Sequence, residues 1–231
     1  MNQIFKSTLL FITLVLIGPT VLAQQGGGSS PRLYGDIKLT SNYIEKGLTQ
    51  TDKNPAVIAG FGYWFGPQGR IGVQASNVKY QAYDSTMRAD VFGEYKFIFT
   101  PNADLKLKTN YSQYSPAAGR NNLLTGLDQN LFTYHFLFEH DDNFEGTKSR
   151  RDWVAFHKDW NLATSYLFSV TVGYSMLQQS SLNNYIDTRV GLSFISNNFF
   201  AGIFHCYNSQ SSQFAYGQGD MAFLIEAGVK F

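Results

Sequence analysis

Four histidines (His135, His140, His157 and His205) and one cysteine, Cys206, are the side chains best suited to nucleophilic, proton-transfer or metal chemistry. An acyl hydrolase needs a histidine beside a serine, oriented by an acid or amide partner. Neither a Gly-x-Ser-x-Gly turn nor a His-x-Ser element occurs here. His135 and His140 lie an odd number of residues apart, so on one strand they point to opposite faces and make a poor metal pair. A lone cysteine cannot build an internal disulfide framework, and Cys206 reads as a small packing residue. Asp141 and Asp142, with Glu145 nearby, read as a solvated loop in preference to a cation site. These residues predict no catalytic centre, no cofactor and no metal.

A second set is more ordered. Asp36, Asp90, Glu94, Glu139, Asp187 and Glu226 fall on the same alternate positions as Lys38, Arg88, Lys96, Lys106, Lys108, Arg189 and Lys230. Six acids against seven bases make a nearly neutral polar lining, which suits a wet bore or a cross-linked wall. The intervening positions are apolar and aromatic. Phe223, Ile225, Ala227, Val229 and Phe231 share one face, opposed by Glu226, Gly228 and Lys230, with Leu224 as the exception.

The elements that must carry these residues are strands, because period-2 alternation runs from Leu33 to the end. Turn signals divide it at 33–43, 56–65, 70–80, 87–99, 104–114, 119–127, 131–140, 150–158, 165–177, 185–195, 198–207 and 221–231. That is twelve strands. Gaps after even-numbered strands are short, such as Gly66–Gly69, Asp128–Asn130 and Asp159–Thr164. Several gaps after odd-numbered strands are longer, notably Ile44–Pro55, Asp141–Ser149 and Asn208–Asp220. Short turns on one rim and long loops on the other are the asymmetry of outer-membrane barrels. Segments 56–65 and 198–207 are apolar on both faces; in the first, Val57, Phe61 and Tyr63 are placed outside, with Gly60 and Gly62 inside.

Composition agrees. Charged residues are 15% and aromatics 16%, a balance suited to a large apolar surface turned to lipid. A formal net charge of +1 argues against a nucleic-acid partner. Lys6, the apolar run Leu9–Leu22 and Val21-Leu22-Ala23 predict a cleaved signal peptide over 1–23. A flexible lead-in then spans 24–32, and 33–231 forms the barrel. No later apolar run reaches the ~18 residues of a spanning helix, so a closed barrel is the remaining way to cross a membrane. The predicted fold is all-β, a 12-stranded antiparallel transmembrane β-barrel of outer-membrane type.

The run LTSNYIEKGLTQTDKNPAV over 39–57, followed by FGYW and GVQASNV, resembles the Gcw_chp family. The resemblance implies an exported bacterial barrel of about this size, with no established activity. The usual family form has an aromatic residue and an arginine where this chain has Glu45-Lys46. Beyond residue 80 the likeness is one of strand rhythm, including LLTGLDQNLFTYHFLFEHDDN as a strand pair. Phe223, Ile225, Val229 and the terminal Phe231 resemble the signal read by outer-membrane barrel assembly machinery, which implies that machinery and outer-membrane lipid as partners.

Together these readings predict a passive, porin-like channel for small hydrophilic solutes in the bacterial outer membrane. A non-conducting structural or surface-binding barrel is the alternative, and a lipid-modifying enzyme a weaker third. Ile44–Pro55 either folds into the bore, presents a binding surface, or merely shapes a turn.

Overall fold

The computed structural model describes residues 32–80, 85–116, 121–214 and 217–231; the signal-peptide expectation and nearly all of the lead-in lie outside them. Alternation resolves into β1 Arg32–Thr40, β4 Ala56–Trp64, β5 Gly69–Tyr80, β6 Ser85–Thr100, β7 Ala103–Ser115, β8 Asn122–Leu131, β9 Tyr134–Asp141, β10 Arg151–Ala163, β11 Tyr166–Leu177, β12 Tyr185–Ser196, β13 Phe199–Asn208 and β14 Ala222–Lys230. A small hairpin, β2 Ile44–Glu45 and β3 Leu48–Thr49, stands apart from them.

The twelve long strands form one closed antiparallel barrel, each hydrogen-bonded to its chain neighbours, with β4 following β1 across the hairpin. Closure is made by β14 against β1, in register from Asp36↔Lys230 to Thr40↔Glu226. With every edge paired, the wall can face hydrocarbon without unsatisfied backbone groups. The apolar positions do face outward: Val172 is 44% exposed and Phe223 78%. Exposed rings of Phe65, Phe97, Phe99, Phe132, Tyr134, Trp160 and Phe199 gather at the short-turn rim, as an interfacial aromatic girdle does. Fold class and strand number match the sequence expectation.

Inward rings lie over glycines. Phe200 is the cross-strand partner of Gly228, where a Cβ would stand 2.4 Å from Phe200 Cε1. Tyr34 is likewise opposite Gly62, with 2.5 Å left between its hydroxyl and a Cβ there. Each glycine lets a ring pack against the wall and leave the bore clear. This placement puts Gly60 and Gly62 inside and Phe61 and Tyr63 outside.

The largest departures from the expected boundaries fall in two strands. The sixth barrel strand is not 119–127 but β8 over 122–131, with the turn at Phe132-Thr133 instead of Asp128–Asn130. Phe132 adopts φ +58 and donates its N–H to Asn102 O, while Asp128 points inward to Lys106. Asp128 and Asn130 thus face the bore within a strand, and Gln129 between them faces outward. Similarly β10 runs on to Ala163, so Asp159 lies within the strand, hydrogen-bonded to Ser169 of β11.

Candidate functional site

The long-loop end of the bore is crossed by the β2–β3 hairpin. Lys46 (φ 49) and Gly47 (φ 76) form its two-residue tip, the left-handed pair that a type I′ turn requires. The tip sits so close to the wall that a Cβ on Gly47 would come 2.7 Å from Asp187 Cβ. Its base is braced internally: Thr49 Oγ1 donates to Asn42 Oδ1 at 2.5 Å, and the buried Thr51 hydroxyl donates to Asn54 O at 2.6 Å.

Anchors reach walls on several sides. Lys79 N of β5 donates to Gln50 O at 2.9 Å. Arg88 Nη1 of β6 donates to Glu45 Oε2 at 2.6 Å. The Lys46 ammonium pairs with Glu139 of β9 and stands 5.6 Å above the Trp153 ring of β10. Tyr185 Oη of β12 donates to Lys46 O at 3.1 Å, and Asn208 Nδ2 of β13 reaches Gly47 O at 3.5 Å. Leu48, 1% exposed, packs with Phe144, Tyr185 and Phe214, so outer loops close over the hairpin. Of the readings open for Ile44–Pro55, the structure shows insertion into the bore.

The hairpin charges are held by their surroundings. Burial pushes the Glu45 carboxyl up, but Arg88, Lys46 and Arg151 overcome it and hold it at about 2. Burial lowers Lys46 to about 7, helped by Arg151 and Arg88 and opposed by Glu45 and Asp141. The facing wall is cross-linked: Arg88 Nε to Asp90 at 2.8 Å, Arg151 to Asp141 at 3.3 Å, and Trp153 Nε1 to Asp187 at 2.8 Å. Between Glu45, Arg88 and Arg151 only about 20 Å³ is free, room for about one water.

Beyond the hairpin, toward the short-turn rim, the lining is wetter. Arg70 meets Glu94 at 2.6 Å and lies over the Trp64 and Phe92 rings. Lys96 pairs with Asp104 at 3.2 Å. Asp128 gathers Lys106 at 3.2 Å, Lys108 at 3.5 Å and His135 at 3.0 Å. Glu226 takes Arg189 at 2.8 Å and Lys38 at 3.4 Å. A cavity of about 320 Å³ lies beside β1, β13 and β14, lined by Asp36, Lys38, Tyr43, Phe200 and Lys230 among others.

The thirteen charged residues singled out by alternation therefore stand on inward positions. Spacing missed Glu45, Lys46, Arg70, Asp104, Asp128, Asp141 and Arg151. Arg70 had a usable signal, since it falls on the same alternate positions as the polar Gln74 and Ser76 of its strand, and it pairs in register with Glu94. His135 and His157 face the bore with rings 5.5 Å apart, whereas His140 contacts Asp152 and His205 stacks near outward Phe223. Among the described residues no group of three or more His, Cys, Asp or Glu is placed to hold a metal. Phe223, Ile225, Val229 and Phe231 all face outward, and Phe231 exchanges backbone hydrogen bonds of 2.9 Å with Gly35.

Solved structures of similar fold include porins and an outer membrane channel. The KdgM porin superposes with a TM-score of 0.57 at 11% identity, covering 86% of this chain and 98% of its own. The KdgM porin in complex with disordered oligogalacturonate gives 0.56 at 10% identity, with 87% and 98% covered. An outer membrane channel from Pseudomonas putida F1 gives 0.50 at 9% identity, with 92% and 100% covered. At such identities the likeness is one of fold. No protein-family model matches the sequence, and no curated protein does.

Proposed function

We propose that this chain is exported to the bacterial outer membrane and works there as a passive channel for small hydrophilic solutes, with the β2–β3 hairpin as its constriction. One observation carries the reading. The hairpin spans the bore and is tied to opposing walls, while the lining beyond it remains polar, charged on both signs and open to water. The shared fold with porins and channels supports it. The oligogalacturonate belongs to the KdgM complex; here the mixed charges favour solutes of low net charge over a polyanion.

Planar-bilayer recording tests it, with wild type beside a form in which Ile44–Thr49 is replaced by an equal Gly/Ser stretch. Small stepwise conductance in the wild type and several-fold larger steps in the replacement are expected. The buried pairs Glu45–Arg88 and Lys46–Glu139 favour the second reading, a barrel closed by its own hairpin. Silence in the wild type with conduction in the replacement would establish that reading, and lipid turnover without current would establish an enzyme.

The stretch that resembles the Gcw_chp family, 39–80, builds the end of β1, the hairpin, β4 and β5, and we take that kinship as part of the proposal. Export through the 1–23 signal belongs to it as well. N-terminal sequencing of envelope material should begin near Gln24, and a start at Met1 would count against export by this signal.

A further inference from the structure

We infer that the cavity beside β1 and β14 is a binding subsite for a small zwitterion, a solute of free amino-acid type carrying one carboxylate and one ammonium. The inference rests on the channel reading and names its solute class. Asp36 and Lys230 are register partners across the β1–β14 seam, and both line the cavity. Neither charged group takes an ion pair or hydrogen bond among the described residues, although most bore charges do. The Lys230 ammonium instead stands 5.9 Å from the Phe200 ring, which lines the same space. The neighbouring Lys38 is already occupied by Glu226 at 3.4 Å and lies 6.0 Å from the Tyr43 ring. One acceptor charge, one donor charge and an apolar ring thus converge on about 320 Å³, the lower end of small-ligand pockets.

A zwitterion satisfies both charges without changing the net charge of the site. A solute with a single charge leaves the opposite group uncompensated, and a neutral sugar leaves both. Phe200, pressed over Gly228, is positioned to take an apolar side chain.

Isothermal titration of the detergent-purified barrel tests this independently of conductance. The probes are phenylalanine, 3-phenylpropionate, phenethylamine and glucose. Phenylalanine should bind at least tenfold tighter than either single-charge analogue, with glucose weaker still. Asp36→Asn should abolish the preference for phenylalanine over 3-phenylpropionate, weakening the first and tightening the second as Lys230 loses its opposing charge. Lys230→Gln should abolish the preference over phenethylamine; Asp36→Asn decides alone if Lys230→Gln fails to assemble. Equal binding of phenylalanine and 3-phenylpropionate, no response to Asp36→Asn, or preferential binding of glucose would each overturn the inference. Conductance without zwitterion binding would leave the channel reading standing and remove only this one. Binding in a barrel that never conducts would do the reverse.

Discussion

Arg88 Nη1 of the barrel wall meets Glu45 Oε2 of the inserted hairpin at 2.6 Å across 43 residues of chain, while its Nε holds Asp90 at 2.8 Å. The guanidinium is 4% exposed, so two carboxylates depend on one buried cation. Removing one partner of such a set costs roughly 3–5 kcal/mol, because the survivors keep their desolvation penalty. Arg88→Leu should therefore lower the unfolding midpoint in detergent and give larger, noisier current steps as the hairpin loses its β6 anchor. Unchanged conductance with an unchanged midpoint would show that the hairpin is held elsewhere.

Acid should act on the same contact. Glu45 is held at about 2 against an ordinary value of 4.5, the pull of Arg88, Lys46 and Arg151 exceeding the effect of burial. A carboxyl depressed in the inserted state contributes fully above pH 4.5, and the contribution is lost as pH falls toward 2. Hairpin closure should thus weaken between pH 4.5 and 2, with conductance rising over that window. Glu45→Gln should abolish this rise. A wild-type profile flat down to pH 2 would show that Glu45 does not set closure.

How much of this was legible in the sequence depends on the length of the pattern. Alternation over nine or more residues specifies face and strand, which is why even the doubly apolar 56–65 came out with Phe61 outward and Gly62 beneath Tyr34. The hairpin has strands of two residues, too short for any period to register, although Lys46-Gly47 was a turn signal. The β8–β9 turn was misplaced because Asp128 and Asn130 are turn residues by type, whereas Phe132 takes a left-handed φ usually left to glycine or asparagine. Polarity alone does not tell a turn from a bore-facing strand. Ion-pair partners across the seam, such as Lys38 on β1 and Glu226 on β14, needed the closed barrel before they could be matched.

The two faces of the wall should respond oppositely to charge. Val172 lies in the middle of β11 facing outward, and Val172→Arg should cost about 2–4 kcal/mol near the membrane midplane. Lys108 faces water in the bore and shares Asp128 with Lys106 and His135, so Lys108→Ala should leave folding within about 1 kcal/mol of wild type. Refolding titrations into lipid vesicles measure both. A silent Val172→Arg beside a non-folding Lys108→Ala would reverse inside and outside.

The seam where β14 meets β1 gives the last expectation. Phe231 lies one residue past β14, yet its N–H donates to Gly35 O and its carbonyl accepts from Gly35 N, both at 2.9 Å. Its ring covers Gly35 so closely that a Cβ there would stand 2.5 Å from Phe231 Cε2. Deleting Phe231 removes both bonds, uncovers the Gly35 backbone to lipid and shortens the apolar stripe of Phe223, Ile225 and Val229. The β1–β14 ladder from Asp36 to Thr40 survives, so the barrel retains the means to close. Each backbone group left unpaired in hydrocarbon costs several kcal/mol, so closure should become slow and incomplete. Heat-dependent gel shift of outer-membrane fractions should show a several-fold loss of the folded form for the deletion. Substituting Phe231→Leu should recover part of it, since the backbone pair returns without the ring. Equal amounts of folded protein in all three forms would mean that the ladder from Asp36 to Thr40 closes the seam unaided.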